Sequence, residues 1–289
     1  MTTPSTSPIF DQSYQPWQGK FVSHAFRAPV IAWATVRNLI RVNGMAFGSV
    51  YGLAVLILGI VMLIVLSETK TSADALYAAF GASVFITCLL LVPVAGGNLI
   101  SGDIRHNAHL MYFSKSIYRV DYMAGKGAAA LLLLTPGILL PCLIAATIPA
   151  VMSFVPVSNT YLARVMGALL LLVPVALLPA VAVCMAISSC TRRAWLAGIG
   201  WFAIFAIPWV VGKTLDGARL KWAHFVSFNG NLNAIAAWVL PLPATGDSIL
   251  VDERLKYADP WLSGLILAAV TVASLALVFW RIGISERRS

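Results

Sequence analysis

Six long runs of apolar residues, each free of charged side chains, alternate along the chain with polar segments. Crossing the roughly 30 Å of hydrocarbon in a bilayer takes about 20 helical residues at a rise of about 1.5 Å each. The pattern therefore predicts an all-α integral membrane protein with six transmembrane helices, at residues 44–66, 75–102, 127–160, 165–191, 194–212 and 260–280.

A seventh uncharged run, residues 222–246, needs a separate decision because counting it would move the C-terminus across the membrane. Only residues 232–242 are continuously apolar apart from Asn233, and the run also contains His224 and two prolines. About eleven apolar residues suit an interfacial or re-entrant piece and not a span. We therefore assign residues 213–259 to an outer loop or re-entrant segment and keep six spans.

The composition of the chain also indicates a membrane location. Of the 289 residues, 60% are hydrophobic and only 11% are charged, and the mean hydropathy is +0.86. Soluble domains carry roughly 25% charged residues, so most side chains here must face lipid or other helices. All four cysteines lie within or at the ends of apolar runs, where they act as small hydrophobes and not as paired thiols or metal ligands.

Charged residues are distributed unequally between the two sides that six spans define. The side with both termini has thirteen basic and four acidic residues, whereas the other side has seven of each. By the positive-inside rule, both termini are predicted to be cytoplasmic. The net charge of +9 therefore reports orientation in the membrane and not nucleic-acid binding. We expect a multi-pass protein of the plasma membrane, specifically of a bacterial inner membrane.

A polar segment and an amphipathic one precede the first span. Residues 1–28 lack the basic-then-apolar order of a cleavable signal and are expected to stay in the cytoplasm. Residues 29–43 begin at Pro29 and place Arg37 and Arg41 on one face at i and i+4. We predict an interfacial helix that these arginines anchor to the inner leaflet of the bilayer; the alternative is a cytoplasmic extension of the first span. The six-helix domain covers residues 44–281, and a cytoplasmic tail follows at 282–289.

Motifs for catalysis or nucleotide binding are weak. His106 and His109 stand near Asp103, but without a cysteine pair or a second acid they indicate a polar loop and not a metal site. Residues 212–214, Gly-Lys-Thr, lack the first glycine of a Walker A motif, and the Gly-Lys pair at 125–126 is followed by glycine. We predict that the chain is not an enzyme and that any ATP hydrolysis belongs to another polypeptide.

The six predicted spans contain no obvious buried carboxylate or lysine. Proton pumps, ion-coupled carriers and voltage sensors need ionisable groups at depth in the membrane, so these classes are disfavoured. Arg164 lies at the outer end of the fourth span, where a long side chain can snorkel to water, and is interpreted as an anchor; the alternative is a substrate ligand.

Helix-breaking residues occur inside several spans. Pro93 and the pair Gly96-Gly97 fall in the second span. Prolines inside the third, fourth and fifth spans include Pro136, Pro141, Pro174, Pro179 and Pro208. Such breaks are tolerated where neighbouring helices or water satisfy the freed backbone groups. They can shape a pathway, although proline is common in membrane helices in general.

The loop between the second and third spans, residues 101–122, is the most informative segment, with the sequence NLISGDIRHNAHLMYFSKSIYRVDYMAGKG around it. It resembles the signature of type-2 ABC transporter permeases: an acidic residue that opens a short helix, an apolar run, a Ser-Lys step, a basic residue, and a Gly-Lys pair before the third span. The matching positions are Asp103, residues 110–113, residues 114–115, Arg119 and residues 125–126. Ser116 replaces the usual proline, and residues 107–109 replace the common Gly-Thr-Leu.

This resemblance implies the permease subunit of an ATP-driven ABC transporter, which we expect to be an exporter. In the family, a second permease chain, identical or related, completes a dimer, and cytoplasmic ATPase subunits dock on the loop after the second span, the coupling helix region. ATP and Mg would then be bound by those ATPase subunits, and no cofactor or metal by this chain. The predicted interface with the ATPase subunit consists of Asp103, Arg105, His106, His109, Leu110, Met111, Tyr112, Phe113, Lys115 and Arg119.

The residue types in the loop fit a docking role independently of the resemblance, because apolar and aromatic anchors within a polar rim are typical of protein interfaces. The alternative is that residues 110–113 sink into the headgroup region of the bilayer. Two other functions stay open as well: a membrane assembly subunit that does not transport and, less favoured, a membrane-embedded enzyme.

Overall fold

The computed structural model describes residues 26–68, 72–106, 117–152, 159–217, 220, 222–240 and 259–287. Every regular element in these ranges is a helix, and no strand occurs among them. Six helical segments are long and apolar enough to cross a membrane: Gly44–Ile64, Ala75–Arg105, Arg119–Thr147, Leu162–Cys190, Ala194–Leu215 and Pro260–Ile284. The prediction of an all-helical chain with six apolar spans is confirmed.

The second span is composite, whereas each of the other five lies within one helix. It consists of two helices separated by a turn of π-helix, followed by a break and a third, short helix. In chain order the elements are α1 (Arg27–Glu68), α2 (Ser72–Ile86), the π segment (Thr87–Leu91), α3 (Val92–Gly97), α4 (Ser101–Arg105), α5 (Arg119–Met152), α6 (Asn159–Cys190), α7 (Ala194–Gly217), a 3-10 turn (Ala223–Val226), α8 (Phe228–Val239) and α9 (Pro260–Arg287).

The second and fourth spans form the centre of the helix bundle. Their apolar windows are 56% and 61% buried, compared with 17% for the first, fifth and sixth spans. Small side chains allow the two central helices to approach closely: a Cβ added at Gly96 of α3 would collide with Cys184 of α6. The other spans surround this pair, with α1 packed along α5 and α9 along α6.

Helix α1 runs without interruption through residues 43 and 44, where the sequence predicts the end of a separate interfacial helix. The structure therefore differs from the predicted boundary between 29–43 and the first span. An isolated glycine costs a helix only about 1 kcal/mol, and the N-terminal part of α1 gains contacts with α5. Ile31 packs so closely on Gly125 that a Cβ there would clash with it. Arg37 and Arg41 lie on the exposed face, and their contact with a membrane surface stays a prediction.

Helix α8 contains 12 residues and is about 18 Å long at a rise of about 1.5 Å per residue. It is too short to span the hydrocarbon, which agrees with the rejection of residues 222–246 as a seventh span. Ser227 caps its N-terminus by accepting a hydrogen bond from the Gly230 N–H at 3.0 Å. The side chain of Asn231 donates to the carbonyls of Phe225 and Ser227, which fixes the turn that leads into the helix.

Candidate functional site

A buried ionic cluster joins the two ends of the loop at residues 101–122. The Lys126 Nζ lies 2.9 Å from Asp103 Oδ2, and only 8% of the lysine side chain and 19% of the aspartate side chain are exposed. The hydroxyl of Tyr122, a fully buried residue, donates a hydrogen bond to the same carboxylate oxygen at 2.7 Å. We call Asp103, Tyr122 and Lys126 the Asp103 cluster.

The Asp103 cluster follows from where its members lie on their helices. Asp103 sits in the first turn of α4, where the positive end of the helix dipole favours a carboxylate. Tyr122 and Lys126 are four residues apart on α5 and therefore share one face. The lysine ammonium also lies 5.7 Å from the centroid of the Tyr122 ring, within range of a cation–π contact. One carboxylate oxygen thus holds two donors of the third span against the end of the second span.

The prediction that the spans lack a buried carboxylate or lysine is wrong at this end of the bundle. The helical spans extend to Arg105 and begin at Arg119, so they include both Asp103 and Lys126. A window defined by the absence of charged residues ends before Asp103 or begins after Lys126, so it cannot contain either residue. Tyr122 is not among the residues predicted from the sequence. Its position one helical turn before Lys126 nevertheless indicates that the two side chains share a face.

The other candidate residues that the structure describes lie outside the Asp103 cluster. Arg105 and His106 are exposed at the end of α4. Arg119 begins α5, and its guanidinium lies 5.4 Å from the centroid of the Phe279 ring on α9. The structure therefore brings Asp103 to Lys126. The remaining candidates fall outside the described residues: His109, Leu110, Met111, Tyr112, Phe113 and Lys115.

Histidine, cysteine and acidic side chains do not gather into a metal-binding group within the described ranges, where no set of three or more lies close enough to hold an ion. The pair His106 and His109 cannot be compared in space, because His109 falls outside those ranges. Its interpretation as part of a polar loop stays a prediction.

The break between α3 and α4 is satisfied by one hydroxyl of the fourth span. Ser188 Oγ accepts hydrogen bonds from the backbone N–H groups of Ile100 and Ser101, at 3.2 and 2.9 Å. It donates to the carbonyl of Gly97 at 2.9 Å. A serine hydroxyl has one donor and two acceptor sites, so all of its capacity is used here. This is how an irregular backbone is tolerated inside an apolar helix bundle.

The π segment is a second irregularity of the backbone, and the indole of Trp201 satisfies it. Its closing hydrogen bond runs from the Val92 N–H to the Thr87 carbonyl, the i+5 spacing of a π-helix. In this register the next carbonyl, that of Cys88, would pair with residue 93, which is a proline without an N–H. The indole N–H of Trp201 donates to the Cys88 carbonyl instead, at 2.6 Å. The second span is therefore held at two breaks by side chains of two other spans.

Replacement of Trp201 by phenylalanine is expected to lower the free energy of unfolding by about 1–3 kcal/mol, because the Cys88 carbonyl would be left buried without a donor. The ring stack with Phe205, at 5.7 Å and 17°, would be largely kept. Thermal unfolding of the protein in detergent measures the change. Trp209→Phe, a half-buried position that packs on Phe85 of the second span, is the matched control. Equal losses in the two variants would contradict the role of the indole N–H.

These features define the chain as an all-helical protein with six apolar spans, a second span with two breaks, and a buried ion pair where two spans meet a connecting loop. Neither a scan against protein-family models nor a search of curated proteins found a match.

Proposed function

We propose that the chain is the transmembrane permease subunit of an ATP-driven ABC exporter. The observation that carries the proposal is the Asp103 cluster, since its residues occupy two positions of the permease-like loop, the acidic residue and the closing Gly-Lys pair. These positions lie 23 residues apart in the chain but 2.9 Å apart between Asp103 Oδ2 and Lys126 Nζ. Both ends of the loop are thus held at one ion pair. A force that a docked subunit applies to the loop would therefore reach the second and third spans together.

In the proposed mechanism, ATPase subunits dock on the loop from the cytoplasm and move it as they close on ATP and Mg. Asp103 and Lys126 carry this movement into the second and third spans together, because the buried ion pair resists separation. The breaks at residues 87–91 and 98–100 are places where the second span can change its packing without losing backbone hydrogen bonds. The transport pathway would lie between this chain and a second permease chain, identical or related.

The basic excess near the loop sets the orientation in this proposal. Both termini and the loop face the cytoplasm of a bacterial cell, and the chain lies in the plasma membrane. Arg37 and Arg41, exposed on α1, contact the inner leaflet. A membrane assembly subunit that does not transport would share these features, so the two functions differ only in whether ATP hydrolysis by the partner moves a substrate.

Changing Leu110, Met111 and Phe113 together to serine is expected to release the ATPase subunit. The wild-type chain, purified gently from its native membrane, should retain a stoichiometric soluble protein with a Walker A motif. Apolar hot-spot residues contribute about 2 kcal/mol or more each, and every 1.4 kcal/mol is about tenfold in affinity. The triple variant should therefore lose more than about tenfold of the bound partner, and its transport should be uncoupled from ATP hydrolysis.

The matched control is a triple serine change at Ile249, Leu250 and Val251, in the segment predicted to face the opposite side of the membrane. This variant should retain the partner. Reproducible absence of any ATPase from the folded wild-type chain would overturn the proposal in favour of the assembly subunit. Full coupling in the Leu110, Met111 and Phe113 variant would remove the loop from the mechanism.

A further inference from the structure

Helix α9 borders two apolar clefts, one above the other. We call the one that reaches the start of α5 the Arg119-side cleft; it has a volume of about 680 Å³ and its walls include Val120, Gly127, Met185, Ala276 and Phe279. The other, the Trp261-side cleft, has a volume of about 730 Å³. Each volume lies within the range of about 300–1,000 Å³ that is typical of small-molecule sites.

The Arg119-side cleft is as deep as one leaflet of a bilayer. Along α5 its wall runs from Val120 to Leu131, which are eleven residues apart. At about 1.5 Å per residue this is roughly 16 Å, close to half of the roughly 30 Å of hydrocarbon. Leu178, Thr271 and Val272 line both clefts and so mark the boundary between them. The Arg119-side cleft therefore has the length expected for a site within one leaflet.

The cleft has a cation at its mouth. The Arg119 guanidinium lies 5.4 Å from the centroid of Phe279, whose ring lines the cleft. Gly283, one helical turn beyond Phe279, makes room for it, because a Cβ there would lie 2.9 Å from Arg119 Nη1. Asp121 is the nearby opposite charge in the first turn of α5, and its Oδ2 is buried. A phospholipid has apolar acyl chains and an anionic headgroup. It is therefore complementary to an apolar cleft, one leaflet deep, with a guanidinium at its mouth.

We propose that the Arg119-side cleft binds one anionic phospholipid from the leaflet on that side, with an acyl chain between α5, α6 and α9 and the phosphate at Arg119. A helix from a second copy fits less well, because a helix with its side chains is about 10 Å wide and would need one continuous groove across both leaflets. A phospholipid needs only one cleft. The site does not depend on transport or on an ATPase, so its test is separate from that of the proposed function.

The test uses the full chain in mild detergent, incubated with vesicles of equal parts phosphatidylglycerol and phosphatidylcholine, repurified and analysed for bound lipid. We expect about one phosphatidylglycerol per chain and little phosphatidylcholine. Arg119→Gln should reduce the retained phosphatidylglycerol by about tenfold, since it removes a charge-assisted contact with phosphate. Arg119→Lys should keep most of it. Arg193→Gln, the same change at an exposed arginine between α6 and α7, should keep all of it.

A second pair of variants tests the cleft itself. Ala276→Phe fills the Arg119-side cleft and should remove the lipid, whereas Ala273→Phe adds the same ring at an exposed position outside it and should not. Equal retention of the two lipids by the wild-type chain, or equal behaviour of Ala276→Phe and Ala273→Phe, would overturn the proposal. So would efficient cross-linking between two copies through Ala276→Cys, made with the exposed Cys190 changed to serine, because that would place a second chain in the cleft.

Discussion

Replacement of Asp103 by asparagine is expected to lower the free energy of unfolding by about 3–5 kcal/mol, because it leaves a buried ammonium group without its counter-charge. Only 8% of the Lys126 side chain is exposed, so water can replace little of the lost interaction. For a chain of this size the midpoint of thermal unfolding should fall by roughly 10 °C. Loss of the monodisperse chromatographic peak on heating in detergent measures this midpoint.

Two further variants test whether loss of the ion pair causes the lower stability of Asp103→Asn. Asp103→Asn combined with Lys126→Met removes both charges and should recover most of the lost stability, because no unpaired charge is left inside the bundle. Arg105→Gln changes an exposed charge on the same short helix and should have little effect. A double variant as unstable as the single one would show that the unpaired lysine is not the reason for the loss.

The same double variant separates stability from coupling. If the Asp103 cluster only stabilises the bundle, the double variant should transport as well as the wild-type chain once it is folded. Under the proposed function its transport should stay low, because the uncharged pair no longer resists separation of the two spans when the loop moves. We expect the double variant to support ATP hydrolysis at the wild-type rate and transport at a reduced rate.

The number and positions of the spans could be predicted because hydropathy depends only on local sequence. A run of about 20 apolar residues has to be a helix in lipid, where every backbone group needs an internal partner. The continuity of α1 through residues 43–44 could not be predicted in the same way. Residues 43–44 weaken a helix only slightly, and contacts with Gly125, more than 80 residues away, add to what holds α1 together.

The candidate site could be predicted only in part, since its partners are distant in the chain. Asp103 was found through the resemblance of the loop, but its bonds to Tyr122 and Lys126 depend on how α4 and α5 meet. Pro93 and the glycine pair marked the second span as irregular. Nothing near them in the sequence identifies Trp201 and Ser188 as the donors and acceptors that satisfy the freed backbone. Interactions between spans are the part that local patterns do not contain.

Ser188→Ala is expected to lower the free energy of unfolding by about 2–4 kcal/mol, because the N–H groups of Ile100 and Ser101 lose their acceptor inside the bundle. The Gly97 carbonyl keeps a partner, since the Ser101 hydroxyl also donates to it at 2.7 Å. An average hydrogen bond between membrane helices contributes only about 0.6 kcal/mol, because a side chain can find other partners. Backbone N–H groups at a helix break cannot rotate toward another acceptor, so the loss of unfolding free energy should be larger here.

The neighbouring Ser189 provides the control, because its hydroxyl donates within its own helix, to the Ala186 carbonyl at 2.7 Å. Ser189→Ala should therefore change stability by less than about 1 kcal/mol. Hydrogen exchange adds a local measurement: the amides of residues 100 and 101 should exchange faster in Ser188→Ala and at the wild-type rate in Ser189→Ala. Equal exchange in both variants would mean that the break between α3 and α4 is held by its packing, and that Ser188 is not the residue that keeps the second span in place.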